Sequence, residues 1–327
     1  MLMMSIARFA LRRLIQAIPI LIGVVAMNFV VANLAPGDMA DVLAGEAGGA
    51  SPEFLAEVRA KYGLDQPLIL RFGLYMWNMF QLDLGYSFRY GVPVTELLLT
   101  HLWPTLLLML TSILMAFGSG VVLGVLASRM VNRWPDYLIS ITSLIAYATP
   151  VFWLGLMMVV LFSVKLGWLP SSGMETISAG YTGLRRAVDI LLHMIMPATI
   201  LGLYLTAFYV RLMRASMLEV SGQDFVTTAR SKGLSESAIA YRHVLRNAIL
   251  PMVTMLGLQI GAMLGGAVLV ETVFAWPGLG RLAYTAVFQR DLNLLLGLLF
   301  ICAIMVIVIN IMTEIAYRLI DPRIPMK

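Results

Sequence analysis

The sequence predicts an all-α polytopic membrane protein with six transmembrane helices and both termini in the cytoplasm. Three observations carry that reading. Of 327 residues, 60% are hydrophobic and 13% charged, where a soluble domain holds about 45–50% and about 25%. The apolar residues fall in unbroken runs of bilayer-spanning length rather than in the alternation of a transmembrane barrel. The Lys and Arg residues gather on alternate connections between those runs, fourteen of the 23 on the side that holds the N-terminus. A soluble fold of this size has too little polar surface to cover so many apolar side chains. That argues against a soluble enzyme, a nucleic-acid binder or a disordered chain.

A hydrocarbon core about 30 Å thick takes about 20 apolar residues of helix. Six stretches reach that length: 9–34, 102–127, 137–164, 193–218, 249–275 and 292–319. Pro104 and Pro197 are expected in the first turns of the second and fourth, where a missing N–H costs no helical bond. The first span follows Arg8, Arg12 and Arg13 as a signal peptide would. Its apolar stretch from Leu14 to Leu34 exceeds the about 7–15 residues of a signal core, so it is expected to be retained. The net charge of +5 reads as a positive-inside signal rather than as a nucleic-acid surface.

These spans divide the chain into an N-terminal tail and first helix (1–34), an extracytoplasmic helical cap (35–101) and a five-helix core (102–327) with a long cytoplasmic loop (215–248). Within the cap, Ser51 is placed to cap a helix that starts at Pro52 and carries Glu53 and Glu57. A second apolar-periodic piece covers 68–82, but its Leu70, Leu74, Trp77 and Met79 are few for a deep core. The terminal Asp321-Pro322-Arg323-Ile324-Pro325 cannot continue a helix.

The cytoplasmic loop is the most informative segment. Asp224 is placed to cap a short helix beginning at Phe225. Gly233 falls where a left-handed stop is wanted, with Lys232 favourable at the negative helix end. A second helix starts near Ser235 without a glutamate three residues on, and Ile239, Val244 and Leu245 share its surface with Arg242, His243 and Arg246. Two short capped helices at an elbow suit a grip for a soluble partner better than a plain solvated linker does.

In the fifth span Gly257, Gly261 and Gly265 recur every four residues, giving a face for close helix approach. That face serves packing within this chain, or packing against a partner and the lining of a pathway. Gln259 and Asn310 lie mid-span and Glu271 near the outer end of the fifth span. Intramembrane polar groups of this kind line a translocation path or bond neighbouring helices. His101, His193 and His243 fall in different segments with no ligand spacing, and the lone Cys302 sits in an apolar run, so no metal site and no disulfide are expected. The chain lacks a phosphate-binding Gly-x-x-x-x-Gly-Lys-Ser/Thr loop and shows no catalytic constellation.

The loop resembles the signature loop of ABC-importer permeases, in which Glu-Ala-Ala, three residues and Gly are followed by Ile-x-Leu-Pro. Here Thr227-Thr228-Ala229 precede Arg230-Ser231-Lys232-Gly233, and Asn247-Ala248-Ile249-Leu250-Pro251 come later. The threonines and the longer gap are similar to the dipeptide/oligopeptide/nickel branch, with its Asp-x-x-x-x-Ala-Arg-x-Lys-Gly and His-x-Leu-Arg-Asn-Ala-x-x-Pro. Those patterns run here from Asp224 to Gly233 and from His243 to Pro251. Arg12-Arg13-Leu14, Ala35-Pro36-Gly37-Asp38, Tyr62-Gly63-Leu64-Asp65-Gln66-Pro67, Leu82-Asp83-Leu84-Gly85 and Glu271-Thr272-Val273-Phe274-Ala275-Trp276-Pro277-Gly278-Leu279-Gly280-Arg281 extend the likeness along almost the whole chain.

The resemblance implies an ABC type I importer permease fold in a bacterial or archaeal inner membrane. It implies a pseudo-symmetric pair with a second homologous permease, two cytoplasmic ATPases that hold ATP and Mg, and an extracytoplasmic solute-binding protein. This chain would then carry no cofactor and no catalytic residue. The loop 224–234 would be the coupling helix, with Phe225 in an apolar spot of the ATPase groove, Ala229 permitting close approach and Arg230 and Lys232 facing ATPase acids. Gly233 would form the elbow, with Leu234 as the last residue of the coupling segment, and Asn247 and Pro251 would fix entry into the fifth span. Di- or oligopeptides are the expected cargo, with nickel, glutathione or opine-type solutes as alternatives. A secondary transporter is the competing class; inverted repeats and mid-span acids would mark it, and neither stands out.

Overall fold

The computed structural model describes residues 2–34, 65–87 and 89–320, with the backbone alone at 2–8, 257, 258, 260, 262, 264–266 and 316–320. Regular structure there is helical apart from one small hairpin. Its elements in order are α1 (Leu2–Leu34), α2 (Leu68–Phe80), β1 (Tyr86–Ser87), β2 (Val92–Pro93), α3 (Val94–Arg129), α4 (Trp134–Ala148) and α5 (Val151–Met158). A π-helical stretch (Val159–Lys165) and a 3-10 turn (Ile177–Ala179) lead to α6 (Gly183–Ser221). Then come α7 (Asp224–Ser231), α8 (Glu236–Ala238), a second π-helical stretch (Ile239–Val244), α9 (Leu245–Ala248), α10 (Leu250–Val273), α11 (Leu279–Gln289) and α12 (Leu292–Ile320).

Among the described residues, four helices are by themselves long and apolar enough to cross a membrane: Phe9–Leu34, Val94–Arg129, Gly183–Ser221 and Leu292–Ile315. The expected fifth span is the 24-residue helix α10. The expected third span, 137–164, is not one straight helix: Trp134–Ala148 and Val151–Lys165 meet at 103°. Thr149 is extended, with φ −82° and ψ 133°, as a residue before proline prefers, and Pro150 has no N–H to continue the ladder. Pro104 and Pro197 also depart from expectation. Their helices start at Val94 and Gly183, so both prolines lie well inside α3 and α6.

The chain packs as two compact units. The first comprises the described residues up to His101 together with Leu282–Ile311. In it Phe29 of α1 meets the edge of Phe72 at 5.3 Å and Tyr75 at 5.7 Å, which seats α2 on α1. The fully buried Asn28 donates to the Leu296 carbonyl of α12 at 3.1 Å. Asp291 caps α12 by accepting from the Leu294 amide at 3.0 Å, and its other oxygen accepts from the Ser87 hydroxyl. Asn293 donates to the Tyr86 carbonyl at 3.0 Å, so the hairpin is pinned to the start of α12. On α2, Met79 is buried while Leu70, Leu74 and Trp77 are exposed, consistent with a shallow helix. The helix expected after Ser51 and the tail from Asp321 lie outside the described residues.

The second unit comprises Leu102–Arg281 and the described residues from Met312. Its axis is α6, against which α4, α5 and α10 pack. Tyr209, Met213 and Ile200 of α6 are fully or almost fully buried, as are Phe274 and Trp276 beyond α10. The crossing of α3 over α6 is tight. A Cβ built on Gly120 would stand 2.3 Å from the Tyr209 Cβ, and one on Gly124 2.5 Å from the Met213 Cβ.

Candidate functional site: the elbow between α6 and α10

The elbow is a short amphipathic helix folded back on its own chain. In α7 only Val226 and Ala229 are buried. They join the apolar cluster that holds Met213, Met217 and Val220 of α6, then Ile239, Val244 and Ala248, and Met252 of α10. The three-residue spacing of Val226 and Ala229 puts both on one face. Asp224, Phe225, Thr227, Thr228, Arg230, Lys232 and Leu234 are exposed, and Phe225 and Leu234 present 38% and 41% of their surface. Ala229, expected to permit close approach of a partner, is thus turned inward, on the face that packs toward the π-helical stretch Ile239–Val244.

Both ends of α7 follow from local sequence. The N-cap is Gln223, without a side-chain cap bond. Asp224 is therefore the first helical residue rather than the cap, and its carboxylate favours the positive helix end. At the other end the Gly233 amide donates to the Arg230 carbonyl at 2.9 Å and the Leu234 amide to the Ala229 carbonyl at 3.4 Å. These two bonds define a Schellman stop, and Gly233 supplies its left-handed residue at φ +75°. Ser235 then caps the next helix, its hydroxyl accepting from the Ala238 amide at 3.3 Å.

Two arginines, Arg230 and Arg129, brace the elbow, and a third, Arg214, ties α6 to α4. Arg230 holds Glu236 with Nε–Oε1 at 2.8 Å and a second bond at 3.2 Å. It is thus engaged within its own chain rather than free for an outside acid. That guanidinium holds the Glu236 carboxyl below the usual carboxylate range. Arg214 of α6 makes two bonds of 2.7 Å to Asp136 near the start of α4, and Asp136 also accepts from the Asn132 amide at 3.1 Å. Arg129, the last residue of α3, donates to the Tyr241 hydroxyl at 3.1 Å and the Ser237 hydroxyl at 3.0 Å, with its guanidinium 5.2 Å from the Tyr241 ring centre. Sequence reasoning missed the Arg129 and Arg214 pairings, because the Lys and Arg residues there read equally well as a positive flank.

At the entry to α10, Asn247 donates to the His243 carbonyl at 2.8 Å, and Pro251 occupies the first turn, where its lack of an N–H breaks no bond. Gln259 and Gly261 are half-buried on α10. Gly257 and Gly265 lie in the same helix, their surroundings outside the described residues.

Glu271 does not face an open path. It is fully buried and accepts from the Thr105 hydroxyl at 2.7 Å and the Arg281 amide at 3.0 Å. The Trp276 indole beside it donates to the Pro104 carbonyl at 2.9 Å. Cβ atoms on Gly278 and Gly280 would stand 2.3 Å and 2.9 Å from Glu271 atoms, so the Trp276–Arg281 run closes around the carboxylate. Its signal lay in the sequence, an acid followed by Trp-Pro-Gly-Leu-Gly, but spacing alone does not show the acid turning into the loop.

The bundle, with its braced elbow, has the architecture of an ABC-transporter permease. It is similar in fold to a chain of the MetNI methionine ABC transporter in inward-facing conformations, with a TM-score of 0.55 over 69% of this chain and 97% of that one, at 20% identity. Residues 120–325 match the family described as binding-protein-dependent transport system inner membrane component, and residues 6–109 match the N-terminal region of such membrane components. The chain belongs to this family. Among its relatives are the oligopeptide transport system permease protein AppB of Bacillus subtilis, 39% identical over 97% of this chain and 99% of that one, and the dipeptide transport system permease protein DppB of Escherichia coli, 37% identical over 97% and 98%. It is a membrane-embedded transport component.

Proposed function

We propose that the chain forms half of the transmembrane pathway of an ATP-driven importer of di- and oligopeptides. It pairs with a second homologous permease, meets two cytoplasmic ATPases through α7, and receives peptide from an extracytoplasmic solute-binding protein. Six spans, with α4 and α5 as one broken span, put both termini and the elbow in the cytoplasm and residues 35–101 in an outer cap. ATP and Mg belong to the ATPases. The cell is bacterial or archaeal, and the membrane is its inner one.

The observation that carries this reading is the polarity of α7. One face is locked into the chain by Val226 and Ala229, while the other leaves Asp224 and Phe225, and Lys232 just past its end, exposed. A half-exposed aromatic beside charges suits an anchor for a protein groove. Relatives of the same length, named as oligopeptide and dipeptide permeases, favour peptide over nickel, glutathione or opine-type cargo. The test is co-expression with a second permease, two ATPases and the binding protein from the same system. Reconstituted vesicles should then take up peptide only with ATP. Gly233→Val should lower peptide moved per ATP by about tenfold, because a β-branched residue resists positive φ. Vesicles that hydrolyse ATP and move no peptide would reject the reading.

A further inference from the structure

The elbow is joined covalently to α6 and α10, so those helices follow it through the backbone. α3 has no such link. Among the described residues its side-chain hydrogen bonds to the elbow come from its final residue, Arg129, whose two terminal nitrogens bond Ser237 and Tyr241 at 3.0 Å and 3.1 Å. The two hydroxyls lie four residues apart on one helix face, and the guanidinium also covers the Tyr241 ring. Glu236, next in sequence to Ser237, is the residue that Arg230 of α7 grips. A displacement of α7 therefore reaches Arg129 in two steps, Arg230 to Glu236 and Ser237 to Arg129.

We propose that Arg129 is a positioning residue for energy coupling, clamping the end of α3 to the elbow so that α3 moves with α7. This rests on the importer reading above. A lone positive-inside charge would not need a planar fork, whereas two divergent hydroxyls and a ring face suit guanidinium and not ammonium. α3 is also the helix that crosses α6 at Gly120 and Gly124 with no slack, so a shift at its end is passed along a packed contact rather than absorbed.

The test uses the assembled importer in vesicles. Arg129→Ala should leave ATP hydrolysis near its basal rate and lower peptide moved per ATP by roughly five- to tenfold. Arg129→Lys keeps the flank charge and loses the fork, and should behave like Arg129→Ala. Spin labels at Leu126 and Ser231 should keep one distance with and without trapped nucleotide in the wild type, and lose that constancy in Arg129→Ala. If Arg129→Ala blocks assembly, Tyr241→Phe with Ser237→Ala removes the same two bonds from the other side. Full coupling in Arg129→Lys, or unchanged label distances in the variants, would overturn the proposal. A wild-type complex without ATP-dependent uptake would instead count against the importer reading.

Discussion

Thr105 and Glu271, 166 positions apart in sequence, share a 2.7 Å hydrogen bond and together cap a third element. The Thr105 hydroxyl donates to Glu271 and accepts from the Leu279 amide at 2.7 Å. Glu271 accepts from the Arg281 amide at 3.0 Å. The opening amides of α11, which a helix leaves without partners, are met by side chains from α3 and α10 instead of by a local cap. A buried acid in a membrane helix is expensive, and here it is offset by bonds to the positive end of another helix.

Replacing Thr105 tests this. Thr105→Val keeps the shape and removes both the donor and the acceptor, leaving the Leu279 amide without its hydroxyl partner and Glu271 with one bond fewer in a buried place. The expected loss is about 1–3 kcal/mol, read as a lower melting temperature of the detergent-solubilised protein. Thr105→Ser should restore most of it. Gly278→Ala should destabilise as well, because its Cβ would overlap the Glu271 carboxyl carbon at 2.3 Å.

The Asp136–Arg214 pair makes a second prediction. The Asp136 side chain keeps 3% of its surface and that of Arg214 30%, so the acid is the partner that cannot be re-solvated. Arg214→Ala should strand Asp136 and cost about 3 kcal/mol, the lower end for breaking a buried pair. Asp136→Asn should cost less, since Arg214 still reaches solvent. A double-mutant cycle on thermal unfolding checks the asymmetry; equal losses from the two single changes would refute it.

How much of this was legible beforehand varies by kind. The class of protein follows from run length and composition, because an apolar run of bilayer length has few alternatives. The elbow was legible down to Gly233 and Ser235, since stops and caps act within a few residues, and spacing encodes them. Asp224 was displaced by one position because Gln223 took the cap, a difference that propensity does not resolve. Hydropathy does not mark the break at Pro150, because it is blind to backbone geometry. The Arg129, Arg214 and Glu271 contacts were hidden for a different reason. They join residues 78 to 166 positions apart, and a charge on a helix end looks the same whether it meets water or a partner.

Acid should open the elbow. Glu236 is held below its ordinary range by Arg230, first through the side-chain hydrogen bond. Its contribution is therefore present above the unfolded glutamate value of about 4.3 and is lost as pH falls through the lower, folded value. The pair is exposed, so the effect is local rather than global. Hydrogen exchange at the amides of residues 229–236 should be insensitive to opening between pH 5 and 8 and rise below the glutamate range, after correction for intrinsic rates. Glu236→Gln should show the raised level throughout.

Two glycines two positions apart in α3 separate packing from propensity. Gly118 is exposed and a Cβ there would meet nothing within 4 Å, whereas on Gly120 it would stand 2.3 Å from the Tyr209 Cβ and 3.3 Å from backbone. A contact that short cannot be relieved by a rotamer, because the atoms in the way are themselves fixed to the α6 backbone. Gly120→Ala must therefore push α3 and α6 apart, which also loosens the neighbouring contact of Gly124 with Met213. The expected cost is about 1–3 kcal/mol. Gly118→Ala, in the same helix and with the same change in composition, should be neutral or slightly stabilising, by up to about 1 kcal/mol. Thermal unfolding of the two variants in one detergent decides it. If Gly118→Ala is as harmful as Gly120→Ala, then the glycines act through helix flexibility and not through the crossing with α6.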